Sequence, residues 1–105
     1  MALVTTPKAV GPGQSADGDV VVSTSFPPGE LEVFGGGSIS NTVVADGGES
    51  LIFSGGIATG TTVQDGGYQE IFGFGATATA IDTLIASAGI EEVFSAGLQI
   101  GHQTV

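Results

Sequence analysis

The chain has almost no positive charge. Lys8 is its one Lys or Arg against eleven Asp and Glu, a formal net charge of −10 over 105 residues. Nucleic acid and anionic membrane surfaces are gripped through Lys and Arg, so both are excluded as partners. Cysteine is absent, which removes disulfides and thiol chemistry and leaves the compartment open. No run of residues approaches a membrane span, so no membrane insertion is expected. Residues 1–10, MALVTTPKAV, also lack the apolar core of a secretory signal. Export would then rely on a signal already removed, on one beyond this sequence, or on a route without an N-terminal signal.

Catalytic equipment is equally thin. His102 is the one histidine, the fourth residue counting back from the last one given, where a Ser-His-Asp arrangement has little to hold it rigid. Glu91 and Glu92 are adjacent, so a strand would point them to opposite faces, which is wrong for an acid/base pair. No GxxxxGK[ST] phosphate loop occurs. No enzymatic activity and no cofactor are expected.

What the chain has is glycine, 19 of 105 residues, set among Val, Ile and Phe in a composition that is 41% hydrophobic. That is too apolar for a disordered chain, and glycine at fixed spacing among β-branched residues points to short strands joined by tight turns. The spacing is a repeat. PGELEVFGGGSISNTVVAD (28–46) is followed by GGESLIFSGGIATGTTVQD (47–65), then by GGYQEIFGFGATATAIDTLIAS (66–87) and AGIEEVFSAGLQIGHQTV (88–105). Three columns recur: the glycines 29, 48, 67 and 89; a Val/Ile-Phe pair at 33–34, 52–53, 71–72 and 93–94; and the glycines 37, 56, 75 and 97. Thr42, Thr61 and Thr83 align if the third unit takes its three extra residues near Ala80-Ile81-Asp82.

Nineteen residues cannot make a core alone, but one coil of short strands can stack on the next at about 4.8 Å. The expected fold is all-β: a single-stranded parallel β-solenoid, a right-handed β-helix by the usual crossover preference, with about four coils of about 19 residues. Residues 1–26 lack the repeat and are read as an N-terminal arm or cap, with Val20-Val21-Val22 as one strand. Residues 27–105 form the solenoid domain.

Val or Ile and Phe are neighbours in every copy, so they face opposite ways in a strand. The slim Ile52, Ile71 and their equivalents suit a narrow interior. Phe34, Phe53, Phe72 and Phe94 then form an aromatic ladder on one outer face, a surface for self-association. The alternatives are that the N-terminal segment covers the ladder or that a bulge turns both columns inward.

The phrase SGGIATGTTVQDGGYQEIF resembles the passenger repeats of AIDA-type autotransporter adhesins. Those repeats run as a double glycine, a short Val-bearing strand, SGG, a small-residue and Thr segment, TVV, then Asn-Ser-Gly-Gly. The resemblance covers residues 28–105. It implies a β-helix that is secreted or on the bacterial cell surface, acting in adhesion, aggregation or biofilm. It also implies possible glycosylation at Ser54 and Ser95, before the mid-repeat glycine, and at Ser87 in the inter-repeat turn. Asp46 and Asp65 replace one serine of that pattern, and Gly35 and Gly73 replace another.

Two further arrangements are weighed against plainer readings. Asp46 and Asp65 fall in the same turn of successive coils, the weak candidates for a Ca²⁺ site. The calcium nonapeptide is missing, and aspartate suits a turn on its own account. Thr59, Thr61, Thr77 and Thr79 are spaced like an ice-binding array, but the second pair falls one register step from the first. The expectation is therefore a non-catalytic extracellular structural or adhesive module, associating with itself end to end or laterally, with a cell-surface glycan or protein as another partner. The alternatives are a binding module for ice, glycan or calcium, and a monomeric spacer or targeting domain of a larger secreted protein.

Overall fold

Strict alternation builds the wall of this molecule. In Glu30–Val33 the second and fourth residues, Leu31 and Val33, are buried, while Glu30 and Glu32 lie half-buried on the outside. The structure, a computed structural model, describes residues 3–23, 29–73, 76–86, 88–94, 97–101 and 103–104. Among these, every regular element is a β-strand.

A lone strand, β1 (Leu3–Val4), precedes five coils of three strands. The first coil carries β2 (Pro7–Val10), β3 (Ser15–Asp17) and β4 (Val20–Val21). The second carries β5 (Glu30–Val33), β6 (Ser38–Ser40) and β7 (Val43–Val44). The third carries β8 (Glu49–Ile52), β9 (Ile57–Thr59) and β10 (Thr62–Val63). The fourth carries β11 (Tyr68–Ile71), β12 (Ala78–Ile81) and β13 (Leu84–Ile85). The last carries β14 (Ile90–Val93), β15 (Gly97–Ile100) and β16 (Gln103–Thr104). The coils stack into three parallel sheets. Face one runs β2-β5-β8-β11-β14, face two β3-β6-β9-β12-β15, and face three β1-β4-β7-β10-β13-β16. This is the parallel β-solenoid that the repeat predicts, with one more coil than expected.

The additional coil lies in the segment read as an arm or cap. Residues 3–21 carry β1 to β4, and β2 pairs β5 in the register Lys8↔Leu31 and Val10↔Val33. This coil has no double glycine, and Gly11 stands where the other coils place Phe, so it carries none of the repeat's marks. Residues 24–28, where the boundary was drawn, lie outside the described residues, as does Met1.

The register moves the extra residues of the fourth coil. Ala80 pairs Ala58 and Ile81 pairs Thr59, so the insertion precedes Ala80 and enlarges the connection from β11 to β12. The glycine column of that connection is accordingly Gly37, Gly56, Ala78 and Gly97, since Ala78 pairs Gly97 and Thr79 pairs Ile57. Gly75 is not a member of it and lies outside the described residues.

Slim side chains fill the interior. Val10, Val33, Ile52 and Ile71 form one inward column on face one; Val4, Val21, Val44, Val63 and Ile85 form another on face three. Each fully buried Val or Ile contributes about 1.5–3 kcal/mol. Face two meets them with Ile39, Ala58 and Ala80.

Two corner positions show why the chain turns alike in every coil. Between faces two and three stand Gly18, Asn41, Gly60, Asp82 and Gly101, with φ of 74°, 53°, 71°, 55° and 70°. Only Gly and short polar side chains occupy this left-handed region readily. Gly48 is needed for a different reason: a Cβ there would lie 2.2 Å from the carbonyl oxygen of Val21 in the coil before.

Candidate functional site: an aromatic ladder on the solenoid wall

The Phe residues follow the last residue of each face-one strand, at the corner leading to face two. Phe53 N–H donates to the Val33 carbonyl at 2.8 Å and Phe72 N–H to that of Ile52 at 2.7 Å, so each backbone is tied to the coil before. With Ile52 and Ile71 pointing in, Phe34, Phe53, Phe72 and Phe94 point out. The rings stack face to face. Centroids are 5.1 Å apart for Phe34–Phe53, 5.6 Å for Phe53–Phe72 and 4.7 Å for Phe72–Phe94, with planes within 13° of parallel. Such contacts are worth about 0.5–1.5 kcal/mol each beyond area burial. Phe53 and Phe72 are half-buried between their neighbours, while Phe34 and Phe94 at the two ends are 39% and 42% exposed. The outward placement separates the two columns as the alternation predicts. Neither the N-terminal coil nor a bulge encloses the ladder among the described residues.

The same outer face is acidic. Glu30 pairs Glu49 directly, and Glu32, Leu51, Glu70 and Glu92 share the next outward column. Partial burial, then the charges of Glu30 and Glu70, holds the Glu49 carboxyl above its ordinary value. Glu70 is raised by partial burial and by Glu30.

Glu91 and Glu92 do part to opposite sides. Glu91 sits in the inward column behind Gln69 and accepts a hydrogen bond from its Nε2 at 2.6 Å, whereas Glu92 is exposed. Gln69 Nε2 also reaches Thr83 Oγ1 at 3.3 Å. Thr42, Thr61 and Thr83 form a buried column just ahead of face three, so they precede the third strand of each coil. The hydroxyls of Thr42 and Thr61, that of Ser50 and the Gln69 Oε1 have no hydrogen-bond partner.

The first coil places Asp19 in that same polar corner. Asp19 is buried, and Lys8 Nζ reaches it from face one at 2.8 Å. On the outside, Asp17 accepts from Asn41 Nδ2 and Ser40 Oγ, both at 3.0 Å, which holds its carboxyl below the usual aspartate value. Nothing in the sequence marks Lys8 and Asp19 as a pair, because the coil that brings them together lacks the double glycine and the Phe of the repeat.

Asp46 and Asp65 stack in one turn, Asp46 N–H donating to the Asp65 carbonyl at 3.2 Å, and both are exposed. Among the described residues no group of three or more His, Cys, Asp or Glu is placed to hold a metal ion. Thr59 pairs Ile81 and Thr79 pairs Ile57, while Thr61 is buried, so these threonines make no continuous outer array. Ser54 is half-buried in the turn after Phe53. Ser87, Ser95 and His102 lie outside the described residues. No helix among the described residues is long and apolar enough to cross a membrane.

The coil geometry defines a parallel β-solenoid carrying an aromatic ladder. No family model and no curated protein matches the chain. Among solved structures it is similar to a TibA fragment whose hyper-glycosylation is catalysed by TibC, with a TM-score of 0.50 and 23% identity. The alignment covers 98% of this chain and 48% of that one, so this chain spans about half the length of the fragment it matches. At that identity the likeness is one of fold.

Proposed function

We propose that this chain is a non-catalytic structural and adhesive module, secreted or held at a bacterial cell surface, that associates with copies of itself. The observation that carries this reading is the ladder of four stacked Phe rings on the outer wall. A contiguous aromatic strip in water marks an interaction surface more often than an accident of composition. The resemblance of residues 28–105 to AIDA-type passenger repeats supports an adhesive role, and a solenoid like that of the TibA fragment is consistent with it. The glycosylation named for that fragment belongs here only as a proposal for Ser54, Ser87 and Ser95. A cell-surface glycan or protein is proposed as a second class of partner.

Replacing Phe53 and Phe72 together by Ser tests the reading. The expected result is loss of lateral association in sedimentation velocity, with the β-sheet circular dichroism of the parent retained. Undiminished association of the folded double variant would remove the ladder from the account.

A further inference from the structure

The outer side of face one sets carboxyls directly beside the aromatic strip. Alternation orders three outward columns along each strand. Glu30, Glu49 and Tyr68 stand in the first; Glu32, Leu51, Glu70 and Glu92 in the second; the Phe ladder is the third. Successive rungs are about 4.8 Å apart, so these glutamates are crowded. Among the described residues no counter-charge stands with them. Lys8 is the chain's one Lys or Arg, and it occupies an inward position where Asp19 holds it at 2.8 Å. β2, beside β5, turns Pro7 and Ala9 outward, and Tyr68 adds only a phenol. Glu91 lies inward with Gln69. Asp46 and Asp65, exposed in the turns before β8 and β11, add two more acids nearby.

We propose that copies of this chain meet side by side through this whole surface, and that the contact tightens in mild acid, when glutamates of facing copies share protons. The inference rests on the self-association proposed above and adds the condition that governs it. The Phe rings stand 4.7, 5.1 and 5.6 Å apart. A ring inserted between two others needs about 7 Å, at about 3.5 Å from each, so two ladders cannot interleave. They must meet flat, which presses the glutamate columns of one copy against the other copy.

Ionised on both sides, those carboxylates repel and oppose the contact. Once one side takes up a proton, its carboxyl donates to the carboxylate facing it. The patch is then complementary to itself, as a twofold contact between identical copies requires. Glu49 and Glu70 are inclined to take that proton. Partial burial, then the nearby glutamates, already holds both above the ordinary value in the single copy. Contact buries them further and acts in the same direction. Association and proton uptake are therefore linked: each proton taken up on contact tightens association by up to about tenfold for each unit that the pH falls.

Sedimentation velocity of the parent at pH 7 and at about pH 5, at one ionic strength, tests this. Association should be about tenfold tighter, or more, in the acid sample. Glu30→Gln, Glu49→Gln and Glu70→Gln combined should associate at pH 7 as the parent does in acid, and should change little between the two. The isoelectric point is about 4.1, so general loss of charge needs a control. Phe53→Ser with Phe72→Ser supplies it, because this variant loses charge as the parent does yet should not associate in acid. Circular dichroism verifies that each variant is folded; should one not fold, the parent's pH dependence and the other variant decide. A parent that is monomeric at both pH values overturns self-association and this inference with it. A parent that associates equally at both, or more tightly at pH 7, overturns the acid condition alone and leaves self-association standing. Undiminished acid association of the folded Phe double variant, or weak association of the folded Gln variant at pH 7, overturns the surface named here.

Discussion

Ile52 and Phe53 are neighbours in sequence and lie on opposite sides of the solenoid wall: Ile52 is wholly buried, and Phe53 stacks outside between Phe34 and Phe72. The pair separates stability from surface chemistry. Ile52→Ala should cost about 2–5 kcal/mol, the usual toll of a core cavity. Phe53→Ala should cost about 1–3 kcal/mol, made of two stacking contacts and partial burial. Urea unfolding of the two variants gives the order directly.

Glycine is required in this fold for two unrelated reasons, and alanine substitutions distinguish them. At Gly13, φ is +74° and nothing lies within 4 Å of an added Cβ, so Gly13→Ala should cost only the left-handed penalty of about 1–2 kcal/mol. At Gly48 an added methyl meets the Val21 carbonyl oxygen and its carbon. Gly48→Ala must push two coils apart, and its cost should be the larger of the two in thermal unfolding, at about 3 kcal/mol or more.

The buried threonine column holds hydroxyls that are not equivalent. Those of Thr42 and Thr61 have no partner, whereas that of Thr83 accepts a hydrogen bond from Gln69. A buried unpaired hydroxyl carries its desolvation cost, and an apolar residue of the same shape does not. Thr42→Val and Thr61→Val should each stabilise the chain by up to about 1 kcal/mol. Thr83→Val should not stabilise it. Differential scanning calorimetry of the three variants checks the contrast.

Mild acid should stabilise the molecule. Glu49 and Glu70 titrate above the ordinary glutamate value of 4.5 in the folded chain, so the folded state binds their protons more tightly than the unfolded state. Their contribution to stability is complete below the unfolded value and is lost as pH rises through the higher folded value. Asp17, with its lowered value, acts in the opposite sense, and its contribution is lost only as pH falls below 3.8. Thermal unfolding midpoints should therefore rise as pH is lowered from 7 towards about 4.5. Glu49→Gln together with Glu70→Gln should flatten that rise.

How far the sequence discloses this structure depends on how uniform each column is. Ile52 and Ile71 keep one shape and occur nineteen residues apart, so the coil, the inward column and the outward Phe ladder can all be read in advance. The corner of Gly18, Asn41, Gly60, Asp82 and Gly101 is just as regular in backbone, yet its residue type changes from coil to coil. The shared requirement is a positive φ, which three residue types meet, so no one letter is held in every coil. The first coil is hidden for a related reason. Val10 and Val33 lie twenty-three residues apart, Gly11 stands in the Phe column, and the interior begins with Lys8 rather than an apolar side chain. The Lys8–Asp19 pair follows from that coil alone. The acidic outer column was open to view in GELEV, GESLI and GYQEI, where Glu alternates with inward residues.

The central claim is that this solenoid finds its neighbours in other copies of itself. Sedimentation equilibrium of the unmodified chain over a wide concentration series tests it most directly. The account predicts a weight-average mass that climbs above the 10.3 kDa of one chain and keeps climbing as concentration increases. A mass of 10.3 kDa at every concentration would contradict it.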